Sequence, residues 1–139
     1  MINQDNNPDT KIDDNKDDYL NKLKKILKKL LSHNPVITIA TISSVEGLPI
    51  CSYIPRGKNE TIISAMVATL LSLSERAVME MKIGEFTELY IKGIDGYLLV
   101  FEAGPNAVLA VSTTKKAQLG LIFLECRRAA NKIADVIGR

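Results

Sequence analysis

By residue type, the side chains of this 139-residue sequence best able to do chemistry are Arg56, His33, Cys51 and Cys126. Arg56 stands in Ile54-Pro55-Arg56-Gly57, a loop segment entering a helical stretch. A guanidinium placed there can act as a solvent-exposed contact, or reach a neighbour's phosphate as an arginine finger does. His33 is the single histidine and is followed by Asn34-Pro35, a helix stop, so a position at the C-terminal end of a helix accounts for it. It has no second histidine or acidic residue close in sequence with which to bind a metal or relay a proton. The two cysteines form no C-x-x-C or metal-ligand spacing and lie inside apolar patterns, which describes buried, inert thiols in a reducing compartment. The serines of Ile42-Ser43-Ser44 and Leu71-Ser72-Leu73-Ser74 lack the G-x-S-x-G elbow, and no G-x-x-x-x-G-K-[ST] phosphate loop occurs. The residues therefore point to no catalytic set, no cofactor site and no metal site, and the expectation is an interaction protein rather than an enzyme.

Composition narrows the partner class. The net charge is only +2, Trp is absent, and Phe and Tyr number three and four, which argues against a nucleic-acid partner. Nothing at the start resembles a secretory signal, and the longest apolar run that invites a membrane reading, residues 117 to 124, is well short of the roughly 20 residues of a span. The expectation is a cytoplasmic protein without a membrane span.

Positioning any functional surface falls to the elements. Residues 1 to 18 carry Asp5, Asp9, Asp13, Asp14, Asp17 and Asp18 with little to bury, and read as a flexible acidic tail ahead of a single domain over residues 19 to 139. From Tyr19, the residues Leu20, Leu23, Ile26, Leu27, Leu30 and Leu31 recur at helical spacing, with Asp17 and Asp18 at the expected N-cap. Lys22, Lys24, Lys25, Lys28 and Lys29 cover the other face. They suit a solvated surface, and five lysines with no intervening acid also suit anionic lipid or an acidic partner. Val36 to Ile42 and Leu48 to Ile54 flank Glu46-Gly47 as a β-hairpin, and residues 60 to 82 are helical. Leu89 to Ile91, Tyr97 to Phe101 and Ala107 to Val111 form a meander, and residues 119 to 137 a last amphipathic helix. The fold class is thus α/β of the α+β type, in the order αββαβββα.

The middle helix is the unusual one. A helix covering one sheet needs an apolar stripe somewhat wider than about 100°. Here Ile62, Ile63, Met66, Val67, Leu70, Leu71, Leu73, Ala77, Val78 and Met81 spread over about half the circumference. Small residues, Ala65, Ala68 and Ser72, occupy much of the remainder, where another backbone could approach. Either the helix has a second packing partner or it is deeply buried within its own domain.

Gly47-Leu48-Pro49-Ile50, Tyr53-Ile54-Pro55-Arg56-Gly57, Ser64-Ala65-Met66, Leu71-Ser72-Leu73-Ser74-Glu75-Arg76-Ala77, Asp95-Gly96-Tyr97 and Ala103-Gly104-Pro105-Asn106-Ala107 follow one another in an order and spacing that resembles the Roadblock family of dynein light chains, Ragulator subunits and prokaryotic small-GTPase regulators. The resemblance spans residues 19 to 137. It implies a five-stranded antiparallel sheet with the middle helix on one face and the terminal helices on the other. It further implies a dimer with itself or another Roadblock protein, through the third strand around residues 86 to 92 and the two middle helices side by side. Ile62, Met66, Leu73, Thr87, Leu89 and Ile91 are the expected dimer contacts. With those flanks occupied, Ser64, Ala68, Ser72, Glu75 and Met79 are expected on the remaining flank, facing a partner. The implied partner is a Ras-like small GTPase whose cycle or location is modulated; the alternative is a structural adaptor in a larger complex without effect on GTP turnover.

Overall fold

The computed structural model describes residues 8–138, with side chains from Lys16 onward. Three helices and five strands follow in the expected order: α1 (Pro8–His33), β1 (Ile37–Ser44), β2 (Pro49–Tyr53), α2 (Glu60–Glu80), β3 (Glu88–Lys92), β4 (Gly96–Glu102), β5 (Ala107–Thr114) and α3 (Leu119–Ile137).

Strands lie in the order β2-β1-β5-β4-β3, all neighbours antiparallel. The chain leaves edge strand β2 and re-enters at the opposite edge strand β3, so α2 must cross the whole sheet. Alternation along the strands divides the interior in two. Ala40, Ile42, Leu99, Phe101, Leu109 and Val111 meet Leu23, Leu27, Leu30 of α1 and Ile122, Cys126, Ile133 of α3 in the larger core. Val100, Val108 and Ala110 face the other way, onto Val67 and Leu71 of α2. The expected two-sided arrangement is what the structure shows.

Local chemistry sets the ends. Asn59 caps α2, its side-chain oxygen accepting from the Ile62 amide at 3.1 Å. Asn34 folds back to donate to the Leu30 carbonyl at 2.9 Å, and Pro35 prevents α1 from continuing. At its start α1 differs from expectation. It begins at Pro8, so residues 8 to 18 of the segment read as a flexible tail continue the helix, while residues 1 to 7 lie outside the described residues. Proline is well placed as a first helical residue. Asp18, expected at the cap, instead lies inside the helix and pairs with Lys22 one turn on, at 3.4 Å.

The β1–β2 turn touches α2 directly. Gly47 has φ +95°, and a Cβ built there would stand 3.2 Å from the Ala65 Cα and 3.5 Å from the Ala68 Cβ. Glycine is required on both counts, for the left-handed backbone and for the close approach. Gly96 is as constrained: a Cβ would collide with the Thr113 carbonyl oxygen of the neighbouring strand.

Candidate functional site

Among the described residues, α2 is the one helix long and apolar enough to cross a membrane by length and composition, yet only 22% of its apolar window is buried. This corrects the expectation that residues 117 to 124 are the chain's most membrane-like segment. A helix whose Val67 and Leu71 are seated on a sheet is a domain helix, and its large exposed apolar surface is what needs an explanation.

The helix presents two flanks. At 100° per residue, Ile62, Met66 and Leu73 fall on one side, and they are 63%, 47% and 64% exposed. This flank lies away from the β1–β2 turn. On the turn side, Ser72, Glu75 and Met79 are exposed as expected, Met79 at 73%. Ser64 and Ala68, assigned with them to a partner-facing flank, are instead 0% and 7% exposed, and this part of the expectation is corrected. The backbone that approaches the small residues Ala65 and Ala68 is the chain's own turn at Gly47. Ser64 points into a polar seam of the same interior: its hydroxyl and those of Thr41, Ser43 and Ser52 are buried with no hydrogen-bond partner among the described residues.

Strand β3 forms one edge of the sheet. On the α3 side, Glu88 accepts from Arg127 at 2.6 Å, and the Tyr90 ring, 50% exposed, meets Phe123 edge-on at a centroid distance of 6.1 Å. Leu89 packs beside the α2 core, Ile91 is 42% exposed on the same side, and Thr87 is exposed just before the strand. Among the described residues, no strand pairs with the outer edge of β3. An unpaired edge strand and an exposed apolar helix flank are both surfaces that invite a partner.

Three carboxylates border the other flank. Glu75, Glu85 and Glu102 line a cavity of about 340 Å³ floored by Val78, Met79 and Phe86. Burial, with the like charges of Glu75 and Glu85, pushes the Glu102 carboxyl above its ordinary value. Glu85 and Glu102 were not recognised from the sequence, because only the return of β4 brings Glu102 beside Glu75.

The chemically capable residues do not converge. Arg56 is exposed in the loop before α2, His33 lies at the end of α1 on the opposite layer, and both cysteines are buried and free. Burial, with Glu125 adding its charge, pushes the Cys126 thiol from 9.0 to about 12, and burial also raises Cys51. The folded state favours the neutral thiol, so this contribution to stability is intact below pH 9 and is lost as pH rises towards about 12. The wild-type denaturation midpoint should therefore fall over that window and flatten in Cys126→Ala. An aromatic disulfide reagent at pH 8 should label Cys126 only after denaturant is added.

The Roadblock/LC7 domain family matches residues 22–113. Two uncharacterised proteins of Methanocaldococcus jannaschii are each 34% identical over 88 residues, covering 63% of this chain and 76% of theirs. Among solved structures, the gliding protein MglB of Thermus thermophilus superposes with a TM-score of 0.77 at 20% identity, over 85% of this chain and 90% of that one. An MglB in a tetrameric arrangement gives 0.78 at 20% identity, over 85% and 89%. These structural likenesses speak for the fold, and the family match over most of the chain settles the kinship: the chain belongs to the Roadblock/LC7 domain family.

Proposed function

We propose that this chain is a dimeric Roadblock-type regulator or scaffold that binds a Ras-like small GTPase and modulates its cycle or localisation. The observation that carries the reading is the exposed apolar flank of Ile62, Met66 and Leu73, together with an edge strand, β3, whose outer side is unpaired among the described residues. Pairing β3 with its counterpart in a second Roadblock chain, or a second copy of this one, would satisfy that edge and lay the two α2 helices side by side over a continuous sheet. An MglB relative found in a tetrameric arrangement accords with a chain of this fold that associates. The GTPase then docks over the paired helices. Ser72, Glu75 and Met79 form its contact surface, with Glu85 and Glu102 adding an acidic border that suits basic residues on the partner.

The test has two parts. Light scattering should give about twice the 15.3 kDa chain mass, or a stable pair with another Roadblock chain. Calorimetry against Ras-like GTPases from the same cell, loaded with GDP or a GTP analogue, should show nucleotide-dependent binding of one GTPase per dimer. Binding without nucleotide preference or change in turnover would make the protein an adaptor. Binding of no such GTPase would sink the proposal.

A further inference from the structure

The layer opposite α2 carries a surface that this reading does not use. α1 and α3 lie side by side there, and the furrow between them holds about 360 Å³. Lys25 and Lys29 form one bank, Arg128 and Lys132 the other, and Ile26 lies on the floor; Glu125 is the single carboxylate in the lining. Lys22, Lys24 and Lys28 are exposed on the same helix. α1 also carries Asp17 and Asp18, so the cationic charge lies on its later turns, from Lys22 to Lys29, and across the furrow on Arg128 and Lys132. Along α3, Leu124 lies one turn before Arg128 and Leu121 a turn earlier, 42% and 49% exposed.

We propose that the α1–α3 layer is a docking surface for an anionic membrane, with phospholipid headgroups seated between the lysine and arginine banks. Three features favour a membrane over an acidic polypeptide. The furrow has cationic banks and an apolar floor, matching a phosphate attached to glycerol and acyl chain. Exposed leucines continue the basic surface along α3, which suits shallow insertion at an interface and adds nothing to a purely electrostatic contact. The third feature rests on the dimer proposed above. Antiparallel pairing of β3 with its own copy places the two-fold axis perpendicular to the sheet, so both α1–α3 layers face the same way. Two basic layers in one plane match a flat, laterally repeating surface, and the α2 platform is left facing away from it.

Sedimentation with vesicles tests this. The full chain should pellet at low salt with phosphatidylcholine vesicles containing roughly a third phosphatidylglycerol, and stay in solution with phosphatidylcholine alone. Raising the salt to about 1 M, where the screening length falls to about 3 Å, should release it. Lys25→Gln/Lys29→Gln/Arg128→Gln/Lys132→Gln should weaken vesicle binding on the order of a hundredfold. Removing four charges from the other side, in Arg56→Gln/Lys58→Gln/Arg76→Gln/Lys82→Gln, should leave it within about twofold of wild type.

Three results would overturn the inference: no wild-type binding to anionic vesicles, equal losses in the two quadruple variants, or tighter binding to polyglutamate than to vesicles. All eight substituted positions are exposed, and far-UV circular dichroism and thermal unfolding verify that the variants fold. Mass and GTPase binding measured on the same proteins separate this inference from the proposed function. Lost vesicle binding with an intact dimer and intact GTPase binding counts against the membrane alone. A monomeric wild type that still pellets counts against the dimer alone.

Discussion

Met66→Arg/Leu73→Arg should convert the protein from a particle of about twice its 15.3 kDa chain mass to a monomer that remains folded. Both side chains are already about half or more exposed in the single chain, so the substitution removes nothing from either core. In the proposed dimer the same flank meets its own copy, and each arginine then faces apolar surface and another arginine across the two-fold. Like charges brought together at an interface cost several kcal/mol, so the dimer dissociation constant should rise about a hundredfold or more. Sedimentation or light scattering over a dilution series reads this directly. The concentration dependence of the wild-type unfolding temperature should vanish in the variant. An unchanged dimer mass would show that the chain associates elsewhere. The α1–α3 layer, with its exposed Leu121 and Leu124, would then be the next surface to test.

The fold was largely legible because its signals are local and periodic. Leu23, Leu27 and Leu30 repeat at helical spacing and are buried, and the Gly47 and Gly96 turns mark strand boundaries because each holds a backbone that a side chain would disturb. Pattern said less about the start of α1. Residues 8 to 18 have almost no apolar side chains to show a period, and their helix is an extension of a segment anchored further on. The site was half legible. The breadth of the α2 stripe exceeded what one sheet face requires, and the flank of Ile62, Met66 and Leu73 is exposed among the described residues. The small residues misled, because a sequence shows that a close approach is possible and does not show which backbone makes it. The turn at Gly47, some twenty positions upstream, occupies the space beside Ala65 and Ala68. The basic furrow was half visible in the lysine run, while the contribution of Arg128 and Lys132 requires the packing of α3 on α1.

That misreading has a measurable consequence at Ala68. A bulky charge there, on the view that Ala68 faces outward, would block a partner and leave the fold untouched. With Ala68 only 7% exposed and the Gly47 backbone against it, Ala68→Arg has no room for its stem and no water for its guanidinium. The neighbouring hydroxyls of Thr41, Ser43, Ser52 and Ser64 can accept hydrogen bonds but supply no counter-charge. An unpaired charge with overpacking should destabilise the domain by about 3–5 kcal/mol, a large share of the roughly 5–15 kcal/mol typical of single domains. Met79→Arg provides the contrast. Met79 is 73% exposed on the same side of the helix, so its replacement should change stability by less than about 0.5 kcal/mol. It should nevertheless weaken docking of a GTPase over the outer flank, by placing a cation where Glu75, Glu85 and Glu102 favour basic partner residues. Urea denaturation and calorimetry on the two variants separate the effects: Ala68→Arg should lose stability, Met79→Arg should lose binding alone. If Ala68→Arg unfolds at the wild-type urea concentration, the contact between the β1–β2 turn and α2 is not holding the helix down, and the small-residue face is free to meet a partner after all.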